Sequence, residues 1–320
     1  MSYTKGGQNI AGQFGMPLYG IAGRPPFTGN YFWVDAAAGS DGNTGGPQDP
    51  LATLTAAHAL CTAGNNDVVF LTGVYKPTAT LTWSKNATHL IGLDPPSALG
   101  AGSTISIANA AATTGAFSPL VNVTAVGCLF EGITAISGIA QAAAQVTWAD
   151  AGGSNTYVRC LLNQVANATA AAHAGNRALT LASKGNTFVD CVIGGDGIVR
   201  ATGTNYTMET LAGSGSSIFK GCVFPMWSSV AASAQINAAT ATGTGFFVFD
   251  SCAFINAMGN AGATASTLPL VISATAGAVF LVMPSTVFLG IAGLVATTGQ
   301  LVYISGPLSV TGGNKALNVT

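Results

Sequence analysis

Five cysteines, Cys128, Cys160, Cys191, Cys222 and Cys252, recur along this chain at intervals of 32, 31, 31 and 30 residues. Each sits in the same short phrase, reading AVGCLF, YVRCLL, FVDCVI, FKGCVF and FDSCAF in turn. Three positions before the cysteine stands Ala125, Tyr157, Phe188, Phe219 or Phe249, and two after it stands Phe130, Leu162, Ile193, Phe224 or Phe254. Self-similarity at a fixed period of this size belongs to repeat architectures, in which one unit cannot bury its own apolar face and must stack on the next.

What lies inside one period narrows the choice. Between cysteines run short β-rich pieces such as RALTLA (177–182) and NTFVDCVI (186–193), broken by Gly, Asn and Ser where the chain must turn. No piece reads as a long helix, which excludes helical solenoids, and the Leu and Asn spacing of leucine-rich repeats is missing. The expected fold is therefore all-β, a right-handed single-stranded parallel β-helix with a short N-terminal capping helix and an extended N-terminal arm. Equivalent residues of successive coils stack at the strand spacing of a sheet, about 4.8 Å. The five cysteines are thus expected to form one structural ladder inside the core, as small buried apolar residues. Metal or redox chemistry would call for Cys-x-x-Cys or histidines at ligand spacing, and neither is present. No cofactor and no metal are expected.

Composition adds to this. Hydrophobic residues make up 49% of the 320 positions and charged residues only 7%, with 42 glycines, which suits one elongated folded unit. Ten basic against eleven acidic residues, with no Lys/Arg cluster, give neither nucleic acid nor an anionic membrane its electrostatic footprint. A dispersed soluble protein carries roughly a quarter of its surface as charge. So sparse a charge predicts a surface covered largely by neighbours. The first residues, MSYTKGG, form no signal peptide, so synthesis in a cytoplasm with reduced thiols is expected.

Residues 1–30 read as an extended Gly/Pro-rich arm in which Phe14, Met16, Leu18 and Tyr19 need a surface to lie on, either the chain's own or a neighbour's. The folded domain is expected over 31–320, opening with the strand Tyr31-Phe-Trp-Val-Asp35. Asp49 as N-cap, Pro50 at the first helical position, Leu51, Leu54 and Cys61 on one face and Gly64 as terminator predict a capping helix over about 50–63. Asp41-Gly-Asn43 has the start of a calcium loop but no Glu at the twelfth position. Coils follow over about 66–310. The uncharged run 278–296 is long enough to suggest a membrane span, but Pro284, Ser285 and the glycines interrupt it in phase with the coils.

Phe32-Trp-Val-Asp35, Gly39-Ser-Asp41, Asp49-Pro-Leu-Ala-Thr53, Asn66-Asp-Val68, Gly73-Val-Tyr75 and His89-Leu-Ile-Gly92 together resemble the opening of the pectin-lyase-like β-helix superfamily. More narrowly, they are similar to the β-helix proteins of tailed-phage virions. The motifs span about 30–135, and the repeat extends the likeness to 310. The resemblance is more specific for fold than for function.

Kinship with polysaccharide lyases or polygalacturonases would imply clustered aspartates and an Arg or Lys base. Asp190, Asp196 and Arg200 come nearest, and Asp150, Arg159 and Asp250 join if positions about one period apart are neighbours. Yet Asp190 falls in a repeat position shared with Gly127, Arg159, Gly221 and Ser251, the mixture of a solvated corner. No catalytic residues are assigned, and the chain is expected not to be an enzyme. The expected function is a structural virion protein of a tailed bacteriophage, most readily a capsid decoration or cement protein on the capsid surface. It would form a homotrimer and contact the major capsid protein or other virion proteins. The alternative is a tailspike or receptor-binding β-helix that binds or cleaves host polysaccharide.

Overall fold

The computed structural model describes residues 28–94, 102–107, 118–138, 146–163, 168, 175–200, 205–231, 233–238, 245–257, 262–264, 270–272, 278–291, 302–304 and 316–317. The arm residues Phe14, Met16, Leu18 and Tyr19 lie outside them. The strands form three parallel sheets of eleven, seven and nine strands. The chain visits them cyclically: Asp67–Thr72 in the eleven-stranded sheet, Val74–Tyr75 in the nine-stranded, Leu81–Trp83 in the seven-stranded, then Thr88–Gly92 back in the first. Each return pairs parallel to the strand one coil earlier, as Val68 with His89 and Phe70 with Ile91. Only the last pair, Val302–Ile304 with Ala316–Leu317, is antiparallel among the described strands. This is a parallel β-helix.

One residue makes the corner between the eleven- and nine-stranded sheets. In successive coils it is Gly132, Arg159, Asp190, Gly221 and Ser251, all with φ between 50° and 64°. The left-handed conformation turns the chain sharply in a single step; glycine takes it freely and Asp readily, while Arg159 adopts it at a cost of about 1–2 kcal/mol. The mixed chemistry of that position therefore follows from backbone geometry. Gly127, expected in it, belongs instead to the coil's opposite corner, and Gly132 takes its place, since Val158 pairs with Glu131.

The interior is built from stacked columns. Phe130, Tyr157, Phe188, Phe219 and Phe249 lie ring on ring at centroid separations of 5.0, 4.5, 4.7 and 4.9 Å, tilted by no more than 12°. A second column, Phe224, Phe254 and Phe288, stacks at 4.7 and 5.0 Å. The columns meet edge to face, Phe249 lying 5.5 Å from Phe254. In-register parallel strands hold identical side chains one strand spacing apart, close to the preferred distance between offset rings.

Pairing of Leu161 with Val192, and of Val192 with Val223 and Val223 with Ala253, sets Cys160, Cys191, Cys222 and Cys252 one above another, all buried. Cys128 is not in that column. Leu161 pairs with Thr134, so Ile133 stands below Cys160, while Cys128 sits a corner earlier, its N–H donating to Asn155 Oδ1 at 2.8 Å. The local phrase misleads because this coil is short: Phe130 to Tyr157 is 27 residues, against the 32 that separate the two cysteines. Burial pushes the thiols of Cys128 and Cys191 up, and that of Cys61 up to about 12. In the native protein these thiols are expected to resist a maleimide and to react only after denaturation. Rapid native labelling of Cys191 or Cys222, followed by mass spectrometry, would contradict this register.

The capping helix spans Leu54–Leu60, shorter than its expected range. Its N-cap is Thr53, whose hydroxyl accepts from the Ala56 N–H, and not Asp49, which instead accepts from Thr44. Leu51 is bridged to Val34 as strand, so Pro50 stops short of the helix. Leu54 and Ala57 face the first coil. Residues 278–282 and 287–289 are strands, and no helix among the described residues is long and apolar enough to cross a membrane.

Alternation gives the eleven-stranded sheet an outer face as well. Val69 and Leu71 join the interior, whereas Val68 and Phe70 form a second apolar cluster with Ile91, Leu129 and Val158, flanked by Tyr31 and Trp33. Further along that face Ile218 and Phe246 are 40% and 48% exposed.

Candidate functional site

The residues singled out for chemistry divide among three places. Asp150 ends a strand of the seven-stranded sheet, fully buried. It accepts from the N–H groups of Gly152 and Gly153, from Ser183 Oγ at 2.8 Å, from Asn155 Nδ2 at 3.0 Å and from the Tyr157 hydroxyl. Burial of the phenol, and then the Asp150 carboxylate beside it, push the Tyr157 hydroxyl well up. Gly152 is required beside it because a Cβ there would collide with the Ala125 carbonyl. Asp150 is a corner brace at the far end of the strands from Asp190.

The second place is the edge where the eleven-stranded sheet turns. Glu131, Arg159, Asp190, Lys220 and Asp250 follow one another, one per coil, with alternating sign. Glu131 is buried and pairs with Arg159, whose side chain is half exposed. Asp250 accepts from the hydroxyls of Ser251 and Ser285 at 3.0 and 3.2 Å. Asp190 is exposed and lies over Gly221, where a Cβ would meet its Oδ1. They occupy two adjacent columns, Glu131, Lys220 and Asp250 at the last strand position and Arg159 and Asp190 at the corner, so that neighbouring coils along the edge carry opposite charges. The sequence pointed to Arg159, Asp190 and Asp250 as neighbours, and the edge brings them together; Asp150 does not belong with them.

The third place is the interior. Arg200 ends the strand Gly195–Arg200 and is 1% exposed, its Nη2 donating to Thr207 Oγ1 at 2.7 Å. Burial, with Arg177 nearby, pushes its guanidinium down from 12.5 to about 9. Asp196, four residues earlier, is exposed, so the two do not form a site.

Most remaining carboxylates are engaged by the backbone. Asp41 accepts from Ala52 N–H, Thr53 N–H and the Thr53 hydroxyl, tying its loop to the helix start, which uses the oxygens a calcium loop would offer. Asp67 accepts from Thr62 N–H and Asn65 Nδ2, and Asp94 from Gly73 N–H. Two histidines, His58 and His89, are pushed down to about 4 by burial and serve as neutral acceptors, for Lys85 N–H and Leu129 N–H. No group of three His, Cys, Asp or Glu side chains among the described residues is placed to hold a metal.

No protein-family model matches the sequence, and no curated protein matches it. Solved structures do. The chain superposes on pectate lyase Pel9A with a TM-score of 0.50 at 13% identity, covering 89% of this chain and 78% of that one. It superposes on the pectin methylesterase PemA from Erwinia chrysanthemi with a TM-score of 0.50 at 15% identity, covering 82% and 81%. The fold is the pectin-lyase-like parallel β-helix. Within that fold the expectation that this chain is not an enzyme does not stand: the solved structures that share its architecture are a lyase and an esterase, so the architecture is one that carries catalysis.

Proposed function

We propose that the chain is a structural subunit of a tailed-bacteriophage virion, a homotrimeric β-helix that decorates and cements the capsid. The observation behind this reading is how little charge the outside keeps. The chain has ten basic and eleven acidic residues, and among the described ones Asp67, Glu131, Asp150, Arg177 and Arg200 are buried. Apolar side chains stand out on the sheet faces in their place, Ile218 and Phe246 on one and Val287 and Leu289, 49% and 54% exposed, on another. Flat faces with few charges favour contact with other protein over hydration. Partners of that kind are further copies of the chain and the major capsid protein or other virion proteins, met after synthesis in the host cytoplasm.

Phe14, Met16, Leu18 and Tyr19 would supply the attachment, because four apolar side chains on a Gly/Pro-rich segment gain most by lying on a foreign surface. Deleting residues 2–29 is expected to leave the far-UV circular dichroism and Tm unchanged and to abolish co-sedimentation with particles. Full binding by the deletion variant would refute the arm's role.

A spike that binds or cleaves host polysaccharide is the second reading, favoured by the fold shared with a pectate lyase and a pectin methylesterase. Release of oligosaccharides from host capsule by the intact protein would decide for it.

A further inference from the structure

The chain buries a positive charge that its own side chains do not neutralise. All eleven acidic side chains fall among the described residues, and the ion pairs there are Arg159 with Glu131 and Arg177 with Glu209. Arg200 has neither. Its Nη2 reaches Thr207 Oγ1, while Nε and Nη1 are buried without any hydrogen-bond partner. Beside Thr207 in register, between the pairs Tyr206–Ala234 and Met208–Ile236, stands Gln235. It too is fully buried, and both its amide atoms lack partners. An ionised guanidinium out of water with two donors idle is strongly unfavourable, and arginine cannot escape by losing its proton at neutral pH.

We infer that Arg200, with Gln235 and Thr207, forms an interior binding site for a small monovalent anion of chloride's size. The anion accepts from Nε or Nη1 of Arg200 and from Nε2 of Gln235, and balances the charge that no carboxylate side chain pairs with. The nearby guanidinium of Arg177 is already paired with Glu209, so the unbalanced charge is that of Arg200. The donor atoms are closed off from solvent, which excludes a ligand as large as a sugar acid.

Thermal unfolding in potassium chloride, compared with potassium gluconate at equal ionic strength, tests it. The wild-type chain is expected to gain about 2–4 °C in Tm as chloride saturates the site. Arg200→Met replaces the charge with an apolar side chain of similar length, which is often neutral or stabilising for a buried ion. That variant is expected to fold and to show no difference between the two salts beyond ionic strength. An identical chloride response in wild type and Arg200→Met would overturn the inference. Crystals of the wild type soaked in bromide supply a reading that needs no variant. An anomalous peak within hydrogen-bond reach of Arg200 Nη1 and Gln235 Nε2 supports the site, and bromide-soaked crystals with no peak there overturn it.

Discussion

Cys191→Asp is expected to prevent stable folding, whereas Asp190→Gly, one residue away, leaves it nearly unchanged. Cys191 is fully buried between Cys160 and Cys222 in the stacked interior. A carboxylate there would be an unpaired charge out of water, and removing a partner from a buried charge typically costs about 3–5 kcal/mol. Native domains are stable by only about 5–15 kcal/mol. Asp190 is exposed at the left-handed corner, with φ of 52°. Glycine takes that conformation without the strain of a Cβ, so the change is expected to stay within about 1 kcal/mol. Urea unfolding of the two variants measures the contrast directly. Equal midpoints would mean that the chain turns at a different residue and that Cys191 faces out.

The second large effect is expected at Phe219. Its ring stacks on Phe188 at 4.7 Å and on Phe249 at 4.9 Å and meets Phe224 edge to face at 5.7 Å, fully buried. Truncation to alanine removes the burial and leaves a gap that rigid strands on both sides cannot close, at about 3–5 kcal/mol. Because coils contact chiefly their neighbours, the loss should spread from this coil outward, and amide exchange should rise first in residues 187–189 and 247–249. Phe219→Leu keeps much of the volume and is expected to lose less than half as much. A Phe219→Ala variant as stable as wild type would show that the ring at this position is not packed in a column between Phe188 and Phe249.

The differing fates of the five cysteines show how far a local phrase can be trusted. From Cys160 onward the period stays near 31 residues, coils are equal in length, and equal phrase means equal place. At Cys128 the same phrase occurs a corner away, because strand register is set by hydrogen bonding between coils and not by similarity along the chain. Likewise Asp49-Pro50 carries a strong helix-start signal, yet Leu51 is drawn into a bridge with Val34, and the cap passes to Thr53. A tertiary pairing outweighed a local preference worth about 1 kcal/mol.

Periodicity and composition alone therefore determined that this chain is a parallel β-helix with stacked apolar columns, since no other arrangement buries a short β-rich unit repeated at this length. Which residues turn the corners, how acid and base alternate along the edge from Glu131 to Asp250, and that Asp150 is a brace apart from Asp190 were decided only by the coil register. The interior position of Arg200 was least legible of all. The sequence places it with Asp190 and Asp196 as the nearest approach to a lyase-like cluster, whereas Asp196 is exposed and Arg200 is buried. Its burial is a product of the coil's closure, in which the next strand, 206–210, turns back to set Thr207 Oγ1 against its guanidinium.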